Sequence, residues 1–217
     1  MAITVGMSEQ NRAPLLDVDS YAARCYMLVE LGTHTAEYKN QKGGVDVRKV
    51  RKVRIGFEIA GKTADFGKGH QEPYVVSRDY TASFGGPSKP SNLLKDVQAW
   101  RGKPFTTDEL KSFDLNKLVG VPAFVSITHQ LAKNGNMYAN IGSIIKLPSA
   151  IPAPPPAVLK PLVYSIEQGA GGCFNDLPEF VRERIMQSEE WQAAIKANVP
   201  TTEATRPADN QDDDVAF

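Results

Sequence analysis

Residues 48–59 read Arg48-Lys49-Val50-Arg51-Lys52-Val53-Arg54-Ile55-Gly56-Phe57-Glu58-Ile59. From Lys52 onward the stretch alternates, with Val53, Ile55, Phe57 and Ile59 on one side and Lys52, Arg54, Gly56 and Glu58 on the other. Successive side chains of a strand point to opposite faces, so this pattern predicts a strand with one face in a core and one in water. Its entrance carries five bases among seven residues, Arg48, Lys49, Arg51, Lys52 and Arg54, a positive rim suited to phosphates. A strand edge protected from aggregation by charge is the other reading of the same residues. Lys39, Lys42, Lys62 and Lys68 in the adjoining loops would extend the rim.

On either side the period stays at two. Upstream, Cys25, Met27, Val29 and Leu31 share one face, and Arg24, Tyr26, Leu28 and Glu30 the other. Downstream, past Pro73, Tyr74–Ala82 reads as a third strand. The period then changes: Leu93, Leu94, Val97 and Trp100 mark one face of a short helix after Ser91, and Thr107 is the cap expected for a second. Two more strands follow, Pro122–Gln130 with Val125 and Ile127 inward, and Met137–Leu147 with Ala139, Ile141, Ser143 and Ile145 inward. Asn134-Gly135-Asn136 turns between them. The expected fold is mainly β, a five-stranded Greek-key OB-fold barrel with a helical insertion between strands 3 and 4. Small mixed α+β folds share this element order.

The expected organisation is an N-terminal arm (1–20), the nucleic-acid-binding barrel (21–148), a Pro/Gly-rich linker (149–172), a C-terminal helical element (173–197) and a disordered acidic tail (198–217). The linker holds Pro152, Pro154, Pro155, Pro156 and Pro161, which favour an extended spacer. Leu177, Phe180, Val181, Arg184, Ile185 and Trp191 have helical spacing after a candidate cap, Asp176.

The 217 residues are 41% hydrophobic and 23% charged, an ordinary globular composition. The chain has no apolar run long enough to span a membrane, and no secretory leader is expected from MAITVGMSEQNR. Two distant cysteines, Cys25 and Cys173, exclude a disulfide scaffold and fit a reducing cytoplasm. His34, His70 and His129 are too scattered for a metal site, and no cofactor is expected. The net charge of zero hides a division: from Pro200 onward one base and five acids give −4, leaving +4 on the rest. Such a tail either solubilises the chain or competes with a polyanion for the basic body.

Gly56–Thr63 satisfies the phosphate-loop expression GxxxxGK[ST], the basis of an alternative reading as a P-loop NTPase. Phe57 and Ile59 continue the strand alternation, however, and Gly67, Gly69 and Pro73 oppose the helix that phosphate binding needs. Gly169-Ala170-Gly171-Gly172 reads as a joint, Cys173 has no histidine partner, and no catalytic residue is assigned. Single-strand binding also calls for aromatic faces on which bases stack. Outward phases nominate Tyr26, Tyr80 and Tyr138, with Arg78, Asn140 and Lys146 alongside, whereas Phe57 and Trp100 fall inward. Each tyrosine has an equally ordinary reading as a half-buried packing residue.

The chain ends Asp212-Asp213-Asp214-Val215-Ala216-Phe217, which resembles the acidic C-terminal tip of bacterial single-stranded DNA-binding proteins, with Ala216 replacing the family's proline. The body resembles an OB-fold family of tailed-phage single-stranded DNA-binding proteins through Tyr26–His34, Arg54–Glu58, Trp100-Arg101-Gly102-Lys103 and Phe113-Asp114-Leu115. The resemblance implies a non-enzymatic, cytoplasmic protein of replication or recombination, in the host cytoplasm if phage-encoded. Single-stranded DNA would be its ligand, and Asp212, Asp213, Asp214, Val215 and Phe217 would recruit partner proteins. An RNA-binding OB module and a pure adaptor remain the alternatives, and the sequence implies no oligomeric state.

Overall fold

The computed structural model describes residues 14–39, 43–132 and 135–198. The tip 212–217 and Lys42 lie outside these. Two long strands, β1 (Ser20–Lys39) and β2 (Val45–Asp65), form an antiparallel hairpin that dominates the fold, joined by β3 (Gln71–Thr81). A two-residue ladder, β4 (Gly85–Gly86) with β5 (Lys89–Pro90), leads into α1 (Asn92–Arg101) and α2 (Thr107–Lys111). Next come β6 (Pro122–Leu131), β7 (Met137–Ile145), the short β8 (Leu162–Tyr164), α3 (Glu179–Met186) and α4 (Glu189–Asn198). The main sheet has six strands in the order β3-β2-β1-β6-β7, with β8 added parallel to β1 and every other pairing antiparallel. No ladder joins β3 to β7, so no closed barrel of the kind the element order predicts is found among the described residues. No helix among them is long and apolar enough to cross a membrane.

Two bulges explain where strand alternation misplaces side chains. In β1, Cys25 stands opposite Phe57 and Met27 opposite Gly56, leaving Tyr26 as the extra residue. A bulge sends two consecutive residues to one side. Cys25 and Leu28 therefore face the main core, while Tyr26, Met27, Val29 and Leu31 face outward into a second apolar cluster. In β7, Ser143 pairs with Ser126 but Ile141 with Ile127, so Gly142 is the extra residue. Ile144 is consequently buried, whereas Ile145, expected inward, is exposed.

The main core packs Val53, Ile55, Phe57 and Ile59 of β2 against Leu93, Leu94, Val97 and Trp100 of α1 and Val125, Ile127 and Ile141. Phe57 and Trp100 meet edge to face at 5.1 Å, and the Trp100 indole N–H donates to the Pro122 carbonyl at 2.8 Å, which satisfies the ring's buried donor. Ser91 caps α1 by accepting from the Leu94 amide at 3.1 Å. The cap of α2 is Thr106 rather than Thr107, in a reciprocal capping box with Glu109.

The second cluster joins the outer face of β1 to Leu162, Tyr164, Phe174, Leu177, Val181 and Ile185. The proline-rich stretch runs along the body as a strap rather than away from it. The Arg24 guanidinium donates to the Pro154, Pro155 and Gly120 carbonyls, and the buried Glu58 carboxylate accepts from the Val158 and Leu159 amides, both at 2.8 Å. Asp176 does not cap α3, which begins after Pro178.

Candidate nucleic-acid interface

Beyond Leu31 and Lys52 the β1–β2 hairpin continues past the core as a two-stranded arm, with Thr33 opposite Arg51, Thr35 opposite Lys49 and Tyr38 opposite Asp46. Residues opposite each other in an antiparallel pair share a face. The basic run is thereby split between the two sides of the arm.

One side, with Tyr38, Arg48, Val50 and Lys52, lines a groove of about 1220 Å3, whose opposite wall is Thr81, Ser83, Lys89, Asn92 and Lys95. Tyr38 is 42% exposed, and the Arg48 guanidinium lies 6.0 Å from its ring centre. Arg48 also approaches Asp46 at 3.5 Å, and the Lys52 ammonium approaches the Thr81 hydroxyl at 3.4 Å. Lys89 and Lys95 are exposed and make no ion pair among the described residues. Four cations around the groove outnumber its two acids, Asp46 and Asp79. Asp79 is already held by Arg54 at 2.5 Å.

The other side of the arm carries Lys49 and Arg51, away from the groove. Lys49 pairs with Glu189 at 2.9 Å, and Arg51 with Glu30. Arg54 lies at the edge of a smaller recess of about 380 Å3 with Ser77, Arg78, Asp79, Gln130 and Asn140, and its guanidinium sits 4.9 Å from the Phe180 ring centre. Of the five bases at the strand entrance, only Arg48 and Lys52 reach the large groove.

The remaining nominees separate in the same way. Tyr26 is 5% exposed, buried by the bulge, and loss of solvation followed by the nearby Glu58 charge pushes its phenol up to about 12. Tyr80 is 3% exposed, because Tyr80 pairs with Val53 and so faces inward, and its hydroxyl donates to Asp96 at 2.8 Å. Burial, then the Asp96 charge, raises its pKa well above the ordinary phenol range. Neither ring exposes a face on which a base could stack, although Tyr80 contributes to the lining of the large groove. Arg78, opposite Ile55, also turns toward the core side of the sheet, donating to Asp96 at 2.8 Å and to the Ile141 and Gly142 carbonyls of β7. Tyr138 is 46% exposed at the β6–β7 turn. Lys146 lays its stem over Gly102, where a Cβ would come within 2.7 Å of its Cδ, and lines neither recess.

Tyr38, Lys89 and Lys95 escaped the sequence reading. Tyr38 could have been found by extending the hairpin register from Gly43-Gly44 down both strands, which places it in phase with Arg48.

Gly56–Thr63 lies wholly within β2. A Cβ at Gly56 would approach the Met27 Cε at 2.6 Å, so this glycine serves close packing of two strands, and no phosphate-cradling loop exists there. No group of histidine, cysteine, aspartate or glutamate that could hold a metal occurs among the described residues. No protein-family model matches the chain, and no curated protein does.

Proposed function

We propose that the protein binds single-stranded DNA without sequence selectivity, in the groove between the β1–β2 arm and the β3–α1 segment. The observation that carries this reading is the exposed Tyr38 ring beside Arg48 and Lys52, facing Lys89 and Lys95 across one groove. Cations neutralise phosphates while an aromatic face accepts any base, the combination that single-strand binding requires. We read the architecture as an OB-fold barrel opened at the β3–β7 seam, a view supported by the strand order and by the helices lying between β3 and β6. The role is protective and recruiting rather than catalytic. Asp212, Asp213 and Asp214 steer a partner to Val215 and Phe217, whose ring it reads.

Fluorescence anisotropy with a labelled single strand, the matching duplex and an RNA of the same sequence, over a series of salt concentrations, tests the reading. Single-stranded DNA should bind tightest, with an affinity that falls linearly with salt on logarithmic axes. Preference for the duplex, or no binding at low salt, overturns it, and preference for RNA reassigns the module. ATP hydrolysis measured in parallel should stay at background.

A further inference from the structure

The arm is one strand pair thick, so whatever holds its back also sets where its groove-facing side lies. Its back is held at one place by the start of α4. The Glu190 carboxylate accepts from the Thr33 amide at 2.7 Å and from the Thr33 hydroxyl at 2.6 Å. One residue earlier, Glu189 reaches Lys49 farther out on the same side of the arm. Ser188, fully buried, accepts from the Trp191 amide at 3.2 Å, and Trp191 stacks on Phe174 at 4.7 Å, which anchors this end of α4 in the second cluster.

The contact falls where the arm leaves the sheet. Register slips between Glu30 and Gly32, and Gly32 has φ +80°, a conformation that favours glycine. A Cβ there would lie 2.5 Å from the Ser188 Cβ and 2.9 Å from a Glu190 carboxylate oxygen. The backbone at the base of the arm and the start of α4 are thus fitted to each other with no room for a side chain between them.

We propose that Glu190 is a positioning residue for nucleic-acid binding: through Thr33 it fixes the angle of the β1–β2 arm, and so the separation of Tyr38 and Arg48 from Lys89 and Lys95. The inference rests on the groove being the binding site. Glu190 contacts no ligand in this account, and it acts by keeping the arm in the one orientation that closes the groove to the right width. An arm that spends only about a tenth of its time in that orientation weakens apparent affinity about tenfold.

The test compares wild type, Glu190→Gln and Glu190→Ala in the full-length chain, reading amide hydrogen exchange and affinity for a thymidine oligonucleotide. Both variants should speed exchange in residues 33–38 and 46–52, leave the β6–β7 amides as protected as before, and weaken oligonucleotide binding about tenfold, mainly by slower association. Replacing Glu189 with Gln, which removes only an exposed pair, should do far less. Unchanged exchange in the arm overturns the brace. Faster arm exchange with unchanged affinity overturns its link to binding. Should the wild type fail to bind the oligonucleotide at all, the groove reading falls, while the exchange data still decide whether Glu190 holds the arm.

Discussion

Arg24 and Glu58 stand directly opposite each other in the β1–β2 ladder, yet both direct their polar atoms to the strap. The guanidinium takes the Pro154 and Pro155 carbonyls, and the carboxylate takes the Val158 and Leu159 amides. A cross-strand pair that would ordinarily neutralise itself has become a two-handed clasp on an incoming segment.

Replacing Glu58 with alanine leaves two backbone donors of the strap without their acceptor, and each unpaired buried group costs about 1–3 kcal/mol. The expected outcome is a lower denaturant midpoint, with early proteolytic cutting inside 149–164. A midpoint equal to wild type would mean that the strap is held by its apolar contacts alone.

The three tyrosines of the exposed and buried surfaces should behave oppositely. Tyr38→Ala is expected to weaken single-strand binding by about 1–3 kcal/mol with little change in melting temperature, as loss of a stacking ring does. Tyr26→Ala and Tyr80→Ala should instead destabilise the fold by about 3–5 kcal/mol, as large-to-small changes in cores do. A Tyr38 variant that binds normally would remove this ring from the site.

Charge removal gives a sharper division because the bases are neighbours in sequence. Neutralising Arg48, Lys52, Lys89 and Lys95 together should lower affinity and flatten its salt dependence, since fewer counterions are then released on binding. Neutralising Lys49 and Arg51 should leave the salt slope largely intact, because both lie on the side of the arm away from the groove, paired with Glu189 and Glu30. Equal effects from the two sets would show that general basicity, rather than the groove, attracts the polyanion.

Acid should loosen the helical insertion only below about pH 4.5. Hydrogen bonding from Arg101, with the Thr106 amide adding to it, holds the Glu109 carboxyl down to about 2 against an ordinary 4.5. A group with a depressed folded-state pKa stabilises the fold above its unfolded value, and that contribution is lost as pH falls through the folded one. Urea midpoints measured from pH 7 to pH 2 should therefore converge for wild type and Glu109→Gln as the pH drops from about 4.5 toward 2. A constant gap between the two curves would show that Glu109 acts by shape alone.

Much of the sheet was legible because its inward residues obey period two over long stretches. Val53 to Ile59 and Val125 to Ile127 face the core as their spacing predicts, and Ser91 caps the helix that carries Trp100. The failures have local causes. Neither Tyr26 nor Gly142 announces a bulge, and each reverses the phase of every side chain beyond it until the register is restored. The outer face of β1 looked like a candidate binding surface because a strand cannot tell from its own residues whether its other side meets water or a later segment of the chain. The basic run misled for a simpler reason: five neighbouring charges read as one patch, but a strand deals them to two faces.

The parallel pairing of β8 with β1 has a consequence in time. Met27 leaves the ribosome far ahead of Leu162, its partner in β8, and at about 5–20 residues per second the delay is on the order of ten seconds. During that interval β1 and β2 can find each other, but Tyr26, Met27, Val29 and Leu31 present a bare oily strip that only Leu162 and the residues after it will cover. A nascent chain in this condition is adhesive, and release ahead of residue 162 would leave it so permanently. The protein becomes safe to its neighbours only once the segment that follows the prolines closes over the first strand.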